Sequence, residues 1–376
     1  MSQSPSFLST LLDLLARLFG GGTTTNQPPV TPPPSTTPVD SGKLTPLEPR
    51  ALVIVFNPVV DPATGRRVIE TMGWNDPDQL VAGYIADIAE CSGGLIKYSV
   101  TQRIDLDEIP VKADGFQYTP EQYLSVARTN KNAHDPDMVD YGAIIAKNNL
   151  LQRAAAREFD EVWLFGAPYF GFWESAMAGA GAFFSNGGPI ENTSTCPRKF
   201  VVMGFNYQRG VGEMLEDLGH RAESILAHLF HAQDFLGWTY TQGRNPATVT
   251  SAPKNLFERF LYFDQIAPGK SNLGSVHYAP NSLADYAWGV TTQVLSCADD
   301  WDQFPNLPEP PNYRMMSARD WGNGDIRGHH KWWLAHLPKV AGVTNGVANN
   351  WWKYFIDVND PAFDSHPPTV AKPFHS

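Results

Sequence analysis

The chain has 376 residues, of which 42% are hydrophobic and 18% charged, a balance typical of a globular protein with a substantial buried core. Its formal net charge is -11 and it carries no basic cluster, which argues against nucleic acid or an anionic membrane as the main partner. The three cysteines form no C-x-x-C motif, which argues against a thiolate zinc site.

The N-terminal residues are expected to lie outside the folded core. Residues 1–19 contain the run F-L-S-T-L-L-D-L-L-A-R-L-F, whose helical spacing predicts a short amphipathic helix. It is too short and too charged to span a membrane, so we expect it to dock on a membrane surface, a protein partner or its own domain. A degraded export signal is the alternative. Residues 20–43, rich in Thr, Pro and Gly, predict a disordered spacer.

The spacer bears on location as well as on structure. Spacers of this composition connect modules of extracellular proteins, which favours an extracytoplasmic or cell-surface location. The N-terminal run lacks the basic residues and the small-residue cleavage site of an export signal, so a cytoplasmic location stays open.

From residue 44 to residue 376 the pattern predicts a single α/β domain. Apolar runs predict strands at 51–56, 95–101, 161–165 and 200–205. Helical spacing predicts helices at 77–91, 138–159, after the fourth strand, and at 318–336 and 347–355 near the C-terminus. Alternating strands and helices predict a mainly parallel sheet flanked by helices. Residues 235–311 have weak periodicity and many turn signals, which indicates a long irregular insertion.

Polar residues follow three of the predicted strands where each strand ends. They are Asn57 and Asp61 after the first, Tyr169, Trp173 and Glu174 after the third, and Asn206, Arg209 and Glu213 after the fourth. The carboxyl ends of parallel strands lie at one edge of a sheet, where ligands bind. We therefore expect these side chains to converge.

The helix after the fourth strand carries an acidic stripe with one imidazole. At about 100° per residue, Glu213, Glu216, His220 and Glu223 fall on one face of this helix. Carboxylate and imidazole groups three or four residues apart can hold a metal ion, although E-x-x-x-H-x-x-E is not the H-E-x-x-H signature. The alternative is a solvated face on which His220 pairs with a neighbouring carboxylate. The adjacent Arg221 favours a functional cleft.

Further histidines lie outside this helix. His277, with Asn281 and Asp285 nearby, is expected to be a third metal ligand or a general base oriented by a carboxylate, and an ordinary loop histidine is the alternative. Helical spacing also places His329, Trp333 and His336 on one face, beside either core packing or an aromatic wall. Trp351 and Trp352 are interpreted as core residues or as a sugar-stacking edge.

Our leading interpretation is a metal-assisted hydrolase that acts on an extracellular polymer, peptide or glycan. His220, Glu223 and His277 would hold a divalent metal such as Zn²⁺, which activates water. Glu216 would be the general base, and Arg209 would stabilise developing negative charge. The other expected site residues are the catalytic candidates Glu174 and Glu213 and the substrate-binding candidates Tyr169, Trp173, Asn206, Asn281 and Asp285.

Two other functions stay open. A metal-independent glycosidase would use Glu174 and Glu216 as a carboxylate pair roughly 5–10 Å apart. A non-catalytic surface-display or carbohydrate-binding module would suit the 12% aromatic content. The sequence contains no P-loop motif, no G-x-S-x-G elbow and no G-x-G-x-x-G motif after the fourth strand, which argues against those nucleotide-binding and serine-hydrolase chemistries.

Overall fold

The structure is a computed structural model in which residues 43–363 are described. The amphipathic helix and most of the spacer expected for residues 1–43 lie outside the described residues. The strands are β1 Arg50–Phe56, β2 Val59–Asp61, β3 Arg66–Arg67, β4 Ser99–Leu106, β5 Glu161–Gly166, β6 Ser175–Ala178, β7 Phe200–Asn206, β8 Val294–Ser296, β9 Arg314–Met316, β10 Lys339–Thr344 and β11 Val347–Asn350.

Ten α-helices lie among the described residues. They are α1 Val68–Met72, α2 Pro77–Cys91, α3 Pro120–Thr129, α4 Tyr141–Lys147, α5 Leu150–Ala155, α6 Val211–Phe230, α7 Gln233–Gln242, α8 Leu256–Phe260, α9 Ile326–Ala335 and α10 Trp352–Ile356. None of these helices is long and apolar enough to cross a bilayer.

A five-stranded sheet of order β4-β1-β5-β7-β6 forms the centre of the fold. Its first four strands are mutually parallel, and β6 pairs antiparallel with β7 at one edge. Strand β5 is buried along its whole length and β1 is buried beyond its first residue, as expected for strands covered on both faces. The predicted α/β fold with a mostly parallel sheet and flanking helices agrees with this arrangement.

Helix α6 connects the sheet to the other helices. It contacts α2, α8, α9 and α10. The buried guanidinium of Arg221 donates a hydrogen bond of 2.7 Å to Glu161 at the start of β5. Arg221 therefore ties α6 to the sheet.

Two predicted elements in the first half of the chain have different bounds in the structure. The second strand is Ser99–Leu106 and not residues 95–101, because β4 is an exposed edge strand without an apolar run. The helix predicted over 138–159 is divided into α4 and α5. The break falls at Asn149, which has a left-handed φ of 52°.

The C-terminal helices are shorter than predicted. Within 318–336, a 3₁₀ turn at Ala318–Trp321 ends at Gly322, whose φ is 97°, and α9 begins after Asp325 caps it. The segment predicted as a helix over 347–355 starts as strand β11, which pairs with β10, and only then becomes α10.

The predicted insertion, residues 235–311, is largely irregular but contains most of α7 and all of α8 and β8. Its residues 271–282 are buried. The insertion packs directly on α6, because a Cβ atom on Gly219 would lie 2.6 Å from a methyl group of Val276. This close approach brings His277 to the stripe on α6.

Candidate functional site

Two buried histidines meet between α6 and the insertion. The Nε2 atom of His220 lies 2.9 Å from the Nε2 atom of His277. The Oε1 atom of Glu216 lies 3.2 Å from His277 Nε2 and 3.8 Å from His220 Nε2. One ligand atom from each of these three residues lies within 4.8 Å of the others, so Glu216, His220 and His277, here named the His/Glu cluster, could hold a metal ion.

Each histidine of the cluster has a carboxylate at its other ring nitrogen. Glu223 Oε2 lies 3.2 Å from His220 Nδ1, and Asp285 Oδ1 lies 2.9 Å from His277 Nδ1. Glu223 is itself fixed, because Tyr240 donates to its Oε2 at 2.6 Å and the backbone N–H of Val276 donates to its Oε1 at 2.9 Å. This is the outer-shell arrangement by which metal-binding histidines are usually oriented.

The outer carboxylates determine where the free lone pairs of the histidines point. When Nδ1–H donates to a carboxylate, the Nε2 atom of the same neutral ring is an acceptor. Two such acceptors 2.9 Å apart repel each other unless a cation or a proton lies between them. Tetrahedral zinc with Zn–N bonds of 2.0–2.1 Å separates two nitrogen ligands by roughly 3.3 Å, so the two imidazoles would have to move apart by about 0.4 Å to hold it.

The negative charge around the cluster acts on its protonation. Burial opposes charging of His220, but the neighbouring carboxylates, Glu174 foremost, raise its pKa well above the ordinary value. Burial likewise opposes charging of His277, while hydrogen bonds to Asp285 and Glu216 raise its pKa. Without a metal ion, a proton shared between the two Nε2 atoms would also account for their 2.9 Å separation.

Glu174 and Asp217 add two carboxyl groups beside the cluster. Glu174 immediately precedes β6, accepts a hydrogen bond from Asn186, and interacts electrostatically with His220 and Glu216. Burial raises the pKa of Glu174. Burial and the charges of Glu174 and Glu216 together raise the pKa of Asp217 well above its ordinary value. The exit of the third predicted strand therefore does reach the stripe on α6.

The positions of Glu216 and Glu223 are the reverse of those expected from the sequence. Glu216, expected as the general base, faces both Nε2 atoms, whereas Glu223, expected as a metal ligand, lies behind His220. Glu213 lies at the beginning of α6, where its Oε2 accepts a 3.0 Å hydrogen bond from the backbone of Gly210. That contact caps the helix.

Several other residues expected at the site lie elsewhere. The side chain of Arg209 is 62% exposed and has Glu213, at 3.8 Å, as its ion-pair partner. Asn206 accepts from the backbone of Gln208 in the turn before α6. Tyr169 donates a 3.0 Å hydrogen bond to Asn130 beyond α3. Unlike Glu174, these three residues are held by contacts within their own turns or with neighbouring segments.

The remaining substrate-binding candidates have structural contacts. Asn281 donates to the carbonyls of Val290 and Thr292 at 2.7 and 2.6 Å and so holds the loop around His277. The backbone N–H of Trp173 donates to the hydroxyl of Tyr141 at 2.6 Å. Of the five expected substrate-binding residues, Asp285 directly contacts a cluster histidine.

The predicted face of His329, Trp333 and His336 does not form one site. Trp333 is fully buried and donates to the carbonyl of Gly274, whereas His336 at the end of α9 contacts the carbonyl of Trp332. Trp351 and Trp352 are both fully buried, which supports the core interpretation.

Sequence reasoning missed three aromatic residues around the cluster. Tyr240 contacts Glu223, and Tyr286 lies with its ring 4.2 Å from the His277 ring. Tyr286 has a left-handed φ of 61° and is 36% exposed, so it reaches from the buried His277 to the solvent. His330 Nε2 lies 3.3 Å from the carbonyl of Val276. The G-H-H-K motif contains His330, whereas the two tyrosines carry no sequence signal, because no periodicity relates Tyr240 to Glu223 or Tyr286 to His277.

No protein-family model, curated protein or solved structure matches this chain. A functional conclusion therefore depends on the atoms of the site.

Proposed function

We propose that the protein is a metal-assisted hydrolase in which Glu216, His220 and His277 hold a divalent cation. The observation that carries the proposal is the 2.9 Å approach of two imidazole Nε2 atoms whose Nδ1 atoms are both held by carboxylates. Two imidazoles and one carboxylate are the ligand set of several catalytic zinc sites, which keep a fourth position for water. Bound zinc would lower the pKa of that water and polarise the scissile group.

The residues around the cluster would carry the remaining chemistry. Glu174 would accept the proton of the attacking water and return it to the leaving group, since its raised pKa suits a group that works in both directions. Tyr286, which reaches from the cluster to the solvent, would border the bound substrate. Arg209, Glu213 and Tyr169 have no part in this mechanism because their contacts lie elsewhere.

We further propose a neutral polymer, peptide or glycan, as the substrate. Carboxylates outnumber cations around the cluster, where Arg244 lies 3.6 Å from Asp285, so a polyanion would be repelled. An extracytoplasmic or cell-surface location and docking of the N-terminal segment on a membrane surface or protein partner belong to the same proposal, supported by the composition of residues 1–43. The burial of Glu216 and His220 favours an enzyme over a display module, whose acidic face would be solvated.

The test is a hydrolysis screen on peptides and glycans with zinc-loaded protein. We expect activity that is lost on treatment with a chelator, restored by added zinc, and absent from His220→Ala. His134→Ala is the matched control, because His134 pairs with Asp114 away from the cluster. Activity that survives chelation and the His220 substitution would rule out the metal mechanism.

A metal-independent glycosidase is the second candidate, favoured by one observation. Burial raises the pKa of Glu174, whereas the close approach of His220 and His277 overcomes burial and lowers the pKa of Glu216 well below its ordinary value. Carboxyl groups whose pKa values are moved apart are typical of an acid and its partner base or nucleophile. Chelator-resistant glycan hydrolysis, lost in both Glu174→Gln and Glu216→Gln, would establish this mechanism.

A further inference from the structure

The side-chain amide of Asn186 is bonded to the carboxyl group of Glu174. Its Nδ2 atom donates a hydrogen bond to Glu174 Oε2, and Asn186 is 7% exposed. Among the described residues no hydrogen bond reaches the other oxygen, Oε1. Asn186 therefore holds one oxygen of a carboxyl group that adjoins the His/Glu cluster, and it leaves the other oxygen free to react.

The backbone next to Asn186 is fixed on strand β6. The N–H of Gly187 donates a 2.7 Å hydrogen bond to the carbonyl of Ser175, which follows Glu174 directly. A Cβ atom on Gly187 would lie 2.7 Å from that carbonyl oxygen, so the two segments approach as closely as a glycine allows. The hydroxyls of Ser175 and Ser185 lie 3.3 Å apart, and both residues are fully buried. The amide of Asn186 is thus held in a fixed position relative to Glu174.

The backbone of Glu174 is fixed as well. Its carbonyl accepts a 3.1 Å hydrogen bond from the N–H of Gly204 in β7. A Cβ atom on Gly204 would clash with the carbonyl oxygen of Trp173, so the residues before β6 lie directly against β7. Side-chain rotation is then the main freedom left to Glu174, and the hydrogen bond from Asn186 restricts it. A carboxyl group held in this way is preorganised for proton transfer.

The backbone conformation of Asn186 does not by itself require an asparagine. Its φ of 88° lies in the left-handed region, where asparagine is tolerated and glycine adopts the same angle without strain. A glycine would therefore meet the demands of the backbone, but it has no amide to donate to Glu174. Replacement by glycine separates the conformational role of this residue from its role as a donor.

The hydrogen bond also acts on the charge of Glu174. Burial raises the pKa of Glu174, while the charge of His220 and, less strongly, the hydrogen bond from Asn186 lower it. A donor to an ionised carboxylate favours the ionised form. That is the form that can accept a proton from water.

We infer that Asn186 is a positioning residue for Glu174: its amide orients the carboxyl group, holding Oε2 and leaving Oε1 to exchange protons. This inference rests on the proposed hydrolase function, in which Glu174 transfers protons. It applies to the metal-assisted mechanism and to the glycosidase alike, because Glu174 has this task in both.

The experiment compares the wild type, Asn186→Gly and Asn186→Asp, all full-length and zinc-loaded. The substrates are fluorescein-labelled casein as the peptide polymer and the N-acetylglucosamine hexamer as the glycan. We expect Asn186→Gly to lower kcat by roughly ten- to a hundredfold, because a misplaced proton-transfer group loses much of its effect, while KM stays within about twofold. Asn186→Asp suits the left-handed backbone but places a second carboxylate against Glu174, so its kcat should be lower still.

Asn192→Gly is the matched control. Asn192 lies in the same connection between β6 and β7, has a left-handed φ of 58° and is exposed. Its kcat, and the zinc content of every variant, should equal the wild-type values. The Tm of Asn186→Gly should change by only a few degrees, because relief of left-handed strain offsets the added freedom of the unfolded chain.

The results separate the positioning role from the hydrolase function. A wild-type kcat in Asn186→Gly, or in Asn186→Asp where Asn186→Gly does not fold, would overturn the positioning role and leave the hydrolase standing. An equal loss of kcat in Asn192→Gly would assign the effect to backbone freedom and overturn the role as well. Chelator-resistant hydrolysis of the hexamer with the same order of variants would support the role within the glycosidase mechanism. Failure of the wild-type protein to cleave casein or the hexamer would refute the hydrolase itself, and the role of Asn186 with it.

Discussion

The Nε2 atom of His220 lies 2.9 Å from the Nε2 atom of His277, although 57 positions of sequence separate the two residues. Helix α6 supplies the first imidazole and the buried insertion supplies the second. Glu223 joins the two segments, because one of its oxygens faces His220 Nδ1 and the other accepts from the backbone of Val276. The fold therefore specifies both the position and the orientation of the imidazole pair.

The first prediction concerns metal content. We expect the wild-type protein to bind about one zinc ion per chain, and His220→Ala and His277→Ala each to lose it, because two remaining ligands hold zinc poorly. Inductively coupled plasma mass spectrometry after gel filtration measures the ratio. His134→Ala should retain the metal. Equal zinc in all four proteins would place the metal elsewhere in the chain.

The second prediction separates the outer carboxylates from the ligands. Glu223→Gln keeps the size of the side chain but weakens the contact that orients His220, so zinc affinity should fall by roughly 10–100-fold without being abolished. Asp285→Asn should act in the same way through His277. Competition with a fluorescent chelator gives the Kd, and Glu213→Gln is the control on the same helix. An unchanged Kd for both outer variants would contradict the proposed roles.

Much of the fold could be predicted because its central strands are covered on both faces. Continuous apolar runs at β1, β5 and β7 are sufficient to indicate a parallel sheet. The edge strands β4 and β6 have no such run, because β4 is largely exposed and β6 has four residues. Register and edges depend on pairing between distant segments, which no local pattern records.

The sequence also predicted the candidate site in part: it indicated the residues on α6 but not which of their carboxylates faces the second imidazole. Helical spacing places Glu216 and Glu223 equally close to His220, so periodicity cannot decide which carboxylate faces the second imidazole. The path of the insertion decides which carboxylate faces His277, because the backbone N–H of Val276 donates a hydrogen bond to one oxygen of Glu223. For Arg209 the prediction placed a side chain at the site that lies outside it. Its position after a strand suggested the site, but the side chain is exposed and pairs with Glu213.

The third prediction tests the close packing of the insertion on α6. An alanine at position 219 would place its Cβ atom 2.6 Å from a methyl group of Val276, so Val276 must shift, and a shift of its backbone would carry His277 away from His220. We expect Gly219→Ala to weaken zinc affinity by about tenfold or more, as loss of orienting contacts does. Gly210→Ala is the control, since its added Cβ would meet its nearest neighbour at 3.6 Å. Unchanged zinc affinity in Gly219→Ala would show that the loop adapts.

The fourth prediction concerns stability at low pH. Burial alone would raise the pKa of Asp160, but hydrogen bonds from Arg50 and the charge of Arg198 lower it below the ordinary value of 3.8. A lowered folded-state pKa contributes stability that is present above the unfolded-state pKa and lost as the pH falls through the folded-state value. Asp160→Asn should therefore be less stable than the wild type near neutral pH.

Urea unfolding at about pH 7 and at about pH 2 measures this effect. The difference in unfolding free energy between the wild type and Asp160→Asn should shrink toward zero at the lower pH. Asp234→Asn, which alters an exposed carboxylate, is the control. A difference that stays constant over this range would show that the contacts of Asp160 do not depend on its charge.

The fifth prediction concerns the buried ion pair beneath the candidate site. Arg221 is 0% exposed, and Glu161 accepts hydrogen bonds from Arg221, from the hydroxyl of Tyr98 and from the indole of Trp163. Glu161→Gln leaves the guanidinium charge buried without a counter-ion, so the free energy of unfolding should fall by about 3–5 kcal/mol. The double variant Glu161→Gln/Arg221→Met removes both charges and should recover part of this loss. A double variant less stable than Glu161→Gln would mean that packing of the arginine, and not its charge, ties α6 to the sheet.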